Sequence, residues 1–152
     1  MAINVEDIEL QEGMQFSTVQ DDILYVLLAN SELANELTGI VKKGKRPTRK
    51  QNSSKEDCTI QSLDIPDGSV QLGTSNVNIY VPDTLDETVP DVTEYDEDTG
   101  RIKQLAGLAF KVLEKHYCEK GWGFRTVMQG VFAEPSMQSH RIWFKIRFFF
   151  HN

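Results

Sequence analysis

The chain has 152 residues, of which 39% are hydrophobic and 26% charged, and a formal net charge of −7. That size makes one domain with an appended arm. The acidic balance argues against a general nucleic-acid binder, because neutralising phosphates takes a basic surface. No uncharged apolar stretch approaches the length of a membrane span, and Met1 to Asp7 lack the basic and apolar regions of a signal peptide. Cys58 and Cys118 lie far apart without a CxxC partner and read as buried or inert thiols of a reducing compartment.

Residues 1–18 are polar, with short period-two stretches at Ile3/Val5 and Ile8/Leu10, and read as an edge strand or as an arm reaching a neighbour. Ser17-Thr18 offers a helix cap, followed by Asp21 and Asp22 in the first turn. Ile23, Leu24, Leu27, Leu28, Leu33, Ala34 and Leu37 recur at helical spacing up to Gly39, with a break at Asn30-Ser31. Ile40-Val41 begins a strand that becomes a basic loop, residues 42–55. Six of the 16 Lys and Arg lie between 42 and 50: Lys42, Lys43, Lys45, Arg46, Arg49 and Lys50.

A second strand spans Cys58 to Ile65, and a third Val70 to Val81, joined as a hairpin through Pro66-Asp67-Gly68-Ser69. The connection 83–100 then carries Asp83, Asp86, Glu87, Asp91, Glu94, Asp96, Glu97 and Asp98 without a cation. Such a long connection inside a compact domain is functional or mobile. Thr99 or Asp98 caps the next helix, whose apolar stripe runs Ile102, Leu105, Ala106, Ala109, Val112, Leu113, Tyr117. Gly121-Trp122-Gly123 ends it. Phe124 to Ala133 is a fourth strand, with Gly130 a candidate bulge.

In the closing run from His140 to His151, Ile142, Phe144, Ile146, Phe148 and Phe150 alternate, which puts them on one face of a strand. The other face carries Trp143, Lys145, Arg147, Phe149 and His151. That mixture matches the aromatic-plus-arginine composition of protein interfaces, and equally a half-exposed sheet face with snorkelling cations. The expected architecture is a single α+β domain over 19–152. Two main helices pack on one face of a mainly antiparallel sheet of four to five strands.

No chemistry-bearing motif is present: no GxSxG, Walker loop, HExxH or GxGxxG. His116, His140 and His151 have no metal-site spacing, and His116 and Cys118 fall on different faces of the expected helix. Asp96-Glu97-Asp98-Thr99-Gly100 lacks the alternating carboxylates and distal glutamate of a calcium loop. No catalytic residue, metal or cofactor is therefore assigned. The basic loop calls for an acidic protein partner, and the acidic connection is one. Within a subunit that is local charge balance; between identical subunits it is head-to-tail complementarity. The candidate interface residues are Lys42, Lys43, Lys45, Arg46, Arg49, Lys50, Asp86, Glu87, Asp96, Glu97, Asp98, Trp143, Arg147 and Phe149.

Four segments carry a resemblance: Lys43-Gly44-Lys45-Arg46-Pro47 with Glu56 to Leu63, Val77-Asn78-Ile79-Tyr80-Val81-Pro82-Asp83, Arg101-Ile102-Lys103-Gln104-Leu105, and Arg147-Phe148-Phe149. In element order they resemble the small tail-completion, tail-terminator-like proteins of tailed phages and prophages, Bacteroidetes type. The likeness spans roughly residues 20 to 152; the N-terminal arm and the acidic insertion at 86–98 depart from it. It implies a non-enzymatic virion protein that joins head to tail or caps the tail tube as a ring, often a hexamer. The partners are then other copies and other tail or connector proteins, in the host cytoplasm during assembly and afterwards in the virion. It places the 42–55 and 83–98 loops at ring surfaces or the lumen. The other function class open to the sequence is a small intracellular protein-binding module of unknown ligand.

Overall fold

The computed structural model describes residues 8, 10, 13–50, 53–86, 94–118 and 121–151. Its elements are α1 (Thr18–Ala29), α2 (Glu32–Glu36), β1 (Val41–Lys43), β2 (Cys58–Ser62), β3 (Val70–Pro82), β4 (Thr84–Asp86), β5 (Glu94–Asp96), α3 (Thr99–Leu113), β6 (Lys115–Cys118), β7 (Trp122–Glu134) and β8 (Ser139–His151). The main sheet has the order β1-β2-β3-β8-β7-β6, and β4 and β5 form a separate two-stranded ribbon. Only β1 and β2 run parallel; the other neighbours are antiparallel.

β8 sits between β3 and β7 and pairs with both along its whole length. Its alternation decides which side is core. Ile142, Phe144, Ile146, Phe148 and Phe150 are buried, with Val77, Ile79 and Val81 beside them on β3 and Trp122 and Phe124 on β7. Phe124 and Phe148 are cross-strand partners with ring centroids 5.1 Å apart. The lid over this inner face comes from Ile23, Leu24 and Leu28 of α1 and Ile102, Leu105, Ala109 and Leu113 of α3. Burying each of these Ile and Leu side chains contributes about 1.5–3 kcal/mol. β7 changes phase between Thr126 and Met128, so the bulge falls at Val127 and not at Gly130.

The expected α+β fold, two main helices on four to five strands, is not what the chain forms. The fold is mostly β, a mixed six-stranded sheet plus the small ribbon, and its helices are short: 12, 5 and 15 residues. Two physical causes account for the difference. Helical periodicity carries on through Tyr117, but the helix stops at Leu113 and Lys115–Cys118 pairs with Trp122–Arg125 instead. Gly121, at φ +85°, makes the turn between them. Cross-strand pairing here overrides helical propensity. The acidic connection, expected to be functional or mobile, supplies β4 and β5.

Ile8 and Leu10 pack against the core, and Gln15 exchanges hydrogen bonds with the buried Gln71 of β3 (2.6 and 3.0 Å). Ile3 and Val5, the rest of the expected arm contact, lie outside the described residues. No helix among the described residues is long and apolar enough to cross a membrane.

Candidate functional site

The side of the sheet away from the helices is built by the same alternation. On β8 it presents Arg141, Trp143, Lys145, Arg147 and Phe149; their β7 partners are Phe132, Gly130, Met128, Arg125 and Gly123. β3 adds Tyr80, Asn78, Asn76, Thr74 and Leu72, and β6 adds Lys115 and Tyr117. Large apolar side chains stand open here: Met128 is 54% exposed, Tyr117 53%, Leu72 49% and Phe132 46%.

Part of this face is internally fixed. Trp143 Nε1 donates to Asn76 Oδ1 at 2.9 Å, and its ring meets Phe132 edge-on at 5.7 Å. Arg141 lies over Phe132 (5.1 Å), donates to Asn78 Oδ1 (2.8 Å) and pairs with Glu134 Oε1 (2.9 Å). Toward the other end the pattern changes. Lys115 is the Cα partner of Arg125, and Arg125 that of Arg147, so three cations stand side by side across β6, β7 and β8. None makes an ion pair with a described residue, and Arg147 Nε is buried without a hydrogen-bond partner. Like charges directly opposite each other destabilise a sheet. Tyr117 and Phe149, 5.4 Å apart, border this row, and Lys145 follows along β8. Gly123 lets the rings approach: a Cβ there would sit 2.6 Å from Phe149 Cζ and 2.7 Å from the His116 carbonyl oxygen.

Of the residues singled out in the sequence, Trp143, Arg147 and Phe149 share this face. The basic loop takes a different place. Arg49 donates to both carboxylate oxygens of Asp57 (3.1 and 2.8 Å), and Arg46 Nε to Oδ2 (3.4 Å) while its guanidinium lies 4.5 Å from the Tyr80 ring centroid. Lys43 pairs with Asp22, and Lys42 Nζ donates to the Lys45 carbonyl. Lys45 and Lys50 are exposed and make no ion pair with a described residue. In the acidic connection, Asp86 closes β4 opposite Glu94, Asp96 Oδ1 accepts the Glu97 N–H (2.8 Å), and Asp98 Oδ1 accepts the Arg101 N–H (3.2 Å) to cap α3. Glu87 lies outside the described residues.

Sequence reasoning missed the chain's polar core. Asp57 is fully buried and Glu56 nearly so. Burial by itself would raise the Asp57 carboxyl, but hydrogen bonds from Arg49, the Ile40 N–H and Arg46 outweigh it and hold the pKa below the ordinary carboxylate value. Arg101 grips Glu56 with two bonds of 2.7 Å and reaches the Glu36 carbonyl (2.7 Å), which ties α3 to α2 and to the start of β2. The available signal was two adjacent carboxylates directly before an apolar strand. Cys58 follows them, fully buried, and burial, then the Asp57 charge, pushes its thiol up to about 12.

Among the described residues the other titratable groups form no catalytic geometry. His116 stands on β6 against Trp122 and Phe124 (5.2 and 5.6 Å), not on a helix. His140 Nδ1 meets Asp83 Oδ1 at 2.6 Å. Among the described residues no three His, Cys, Asp or Glu side chains converge as a metal site. A cleft of about 370 Å³ between α2 and α3 is lined by Glu32, Asn35, Glu36, Gln104 and Lys111, without a nucleophile beside a base. No family model matches the chain, and no curated protein matches it.

Proposed function

We propose that the chain is a non-enzymatic structural subunit of a phage or prophage tail, of the tail-completion or head–tail joining kind, that self-assembles through its outer sheet face. The observation that carries this reading is that face itself. Met128, Tyr117, Leu72 and Phe132 stand exposed among arginines and aromatic rings on the side the helices leave bare. Arg and aromatic enrichment with open apolar area is the composition of interfaces. The resemblance of the Lys43–Leu63, Val77–Asp83 and Arg101–Leu105 segments to tail-completion proteins names the kind of assembly. Its partners are further copies of the chain and neighbouring tail or connector proteins, met in the host cytoplasm and retained in the virion.

Sedimentation velocity over a range of concentrations, with negative-stain microscopy, tests it. Rings, or caps on the open ends of added tail tubes, are the expected result. A chain that stays monomeric at every concentration and leaves tube ends bare refutes it.

A further inference from the structure

Two segments concentrate charge of opposite sign. The first is the cation row Lys115–Arg125–Arg147 on the outer face. The second is the β4–β5 ribbon. Residues 83–98 hold eight carboxylates and no Lys or Arg. In the ribbon Asp86 is the Cα partner of Glu94, while Leu85 opposes Tyr95. Leu85 and Tyr95 are both exposed, at 46% and 44%. Among the described residues the ribbon packs most extensively between its own two strands.

The described residues of the ribbon do not reach the row. The ribbon is rooted where Asp83 N–H donates to the Gln138 carbonyl (2.9 Å), at the Pro82/Ser139 end of the sheet. Arg147 lies eight residues further along β8 from Ser139. At about 3.3 Å per residue that is roughly 26 Å.

We infer that the row Lys115–Arg125–Arg147 receives the acidic β4–β5 ribbon of a second copy of this chain. The inference rests on the self-assembly reading and names its two surfaces. Carboxylates from the neighbour relieve the repulsion between the three cations. Leu85 and Tyr95 meet the apolar border formed by Tyr117 and Phe149. The two surfaces are different parts of the chain, so the contact is heterologous, the kind that builds a ring when its rotation closes. Nucleic acid is the rival polyanion for the same cations. The net charge of −7 disfavours it, because the rest of the surface repels phosphates that the row would attract.

The test is a charge swap. Arg125→Glu with Arg147→Glu alters the row; Glu94→Lys with Asp96→Lys alters the ribbon. Thermal melts confirm folding, and Arg125→Gln with Arg147→Gln replaces the first pair if the glutamates do not fold. In sedimentation velocity at low salt, each pair alone should weaken assembly about tenfold or more, and the four together should restore it. Oligomers that persist through both swaps, or a combined variant no better than either pair, overturn the inference while leaving self-assembly standing. A wild-type chain that never assembles, alone or on tail tubes, overturns the self-assembly reading and with it this one. Tight binding of fluorescein-labelled single-stranded DNA by a monomer, abolished by the Arg125/Arg147 pair, assigns the row to nucleic acid and also overturns it.

Discussion

Replacing Gly39 with alanine adds one methyl group, a change that ordinarily stabilises a protein by about 0.4–1 kcal/mol through the unfolded state. Here the sign reverses. A Cβ on Gly39 would fall deep inside van der Waals contact of Asp57 Oδ1 and the Glu56 carbonyl oxygen, and 2.9 Å from Asp57 Cγ. The carboxylate has little freedom to yield, since Ile40 N–H (3.0 Å), Arg49 and Arg46 all hold it. If it moves, charged hydrogen bonds worth about 1.5–3 kcal/mol each are lost. If the backbone moves, the Gly39 N–H loses its 2.8 Å bond to Glu56 O, worth about 1 kcal/mol. Overpacking adds about 1–3 kcal/mol, so the net loss is about 2–4 kcal/mol after the unfolded-state gain. For a chain of this length that lowers Tm by about 4–15 °C. Urea melts with an unchanged slope and a lower midpoint are the expected record. A Gly39→Ala chain as stable as wild type, or more stable, refutes the claim that the Asp57 site is tightly closed.

Ile146→Asp should abolish cooperative folding, because the side chain is fully buried and an unpaired carboxylate there costs several kcal/mol, of the order of a small domain's stability. Lys145→Asp, one residue away on the outer face, should melt cooperatively in the same circular dichroism assay; equal effects would mean the faces are exchanged. Asp57→Asn should be less stable than wild type at neutral pH. Because the folded-state pKa of Asp57 is depressed, its contribution is complete above the unfolded carboxylate value of about 3.9 and is lost as pH falls through the folded value. The stability gap measured in urea should therefore close below about pH 4, and a gap that stays constant or widens on acidification contradicts the assignment.

Period-two alternation in β8 was enough to place Ile142 to Phe150 in the core and Trp143, Arg147 and Phe149 opposite, since strand geometry permits no other arrangement. The same logic failed at residues 115–118. Four residues carry too little pattern to separate a last helical turn from an edge strand, and pairing across Gly121 decides. The cation row was invisible for that reason and one other. Arg125 meets Arg147 only through a register that a bulge at Val127 sets, and a sequence does not print register. The Asp57 cluster was hidden differently. Its arginines come from an irregular loop, and Arg101 reaches Glu56 across 45 positions, so neither contact leaves a local spacing to read.

The central place of β8 has a consequence for how the chain comes into being. β3 is synthesised about 60 residues before the strand that flanks it, a wait of roughly 3–12 s at about 5–20 residues per second. β7 emerges later and also waits for β8. During that interval both strands offer unpaired backbone edges to any neighbouring nascent chain, the usual start of aggregation. Arg125 on β7, and then Lys145 and Arg147 as β8 emerges, interrupt otherwise apolar β-forming runs with charge. They act as gatekeepers against premature strand pairing between copies. The positive charges that strain the finished sheet thus protect the unfinished one.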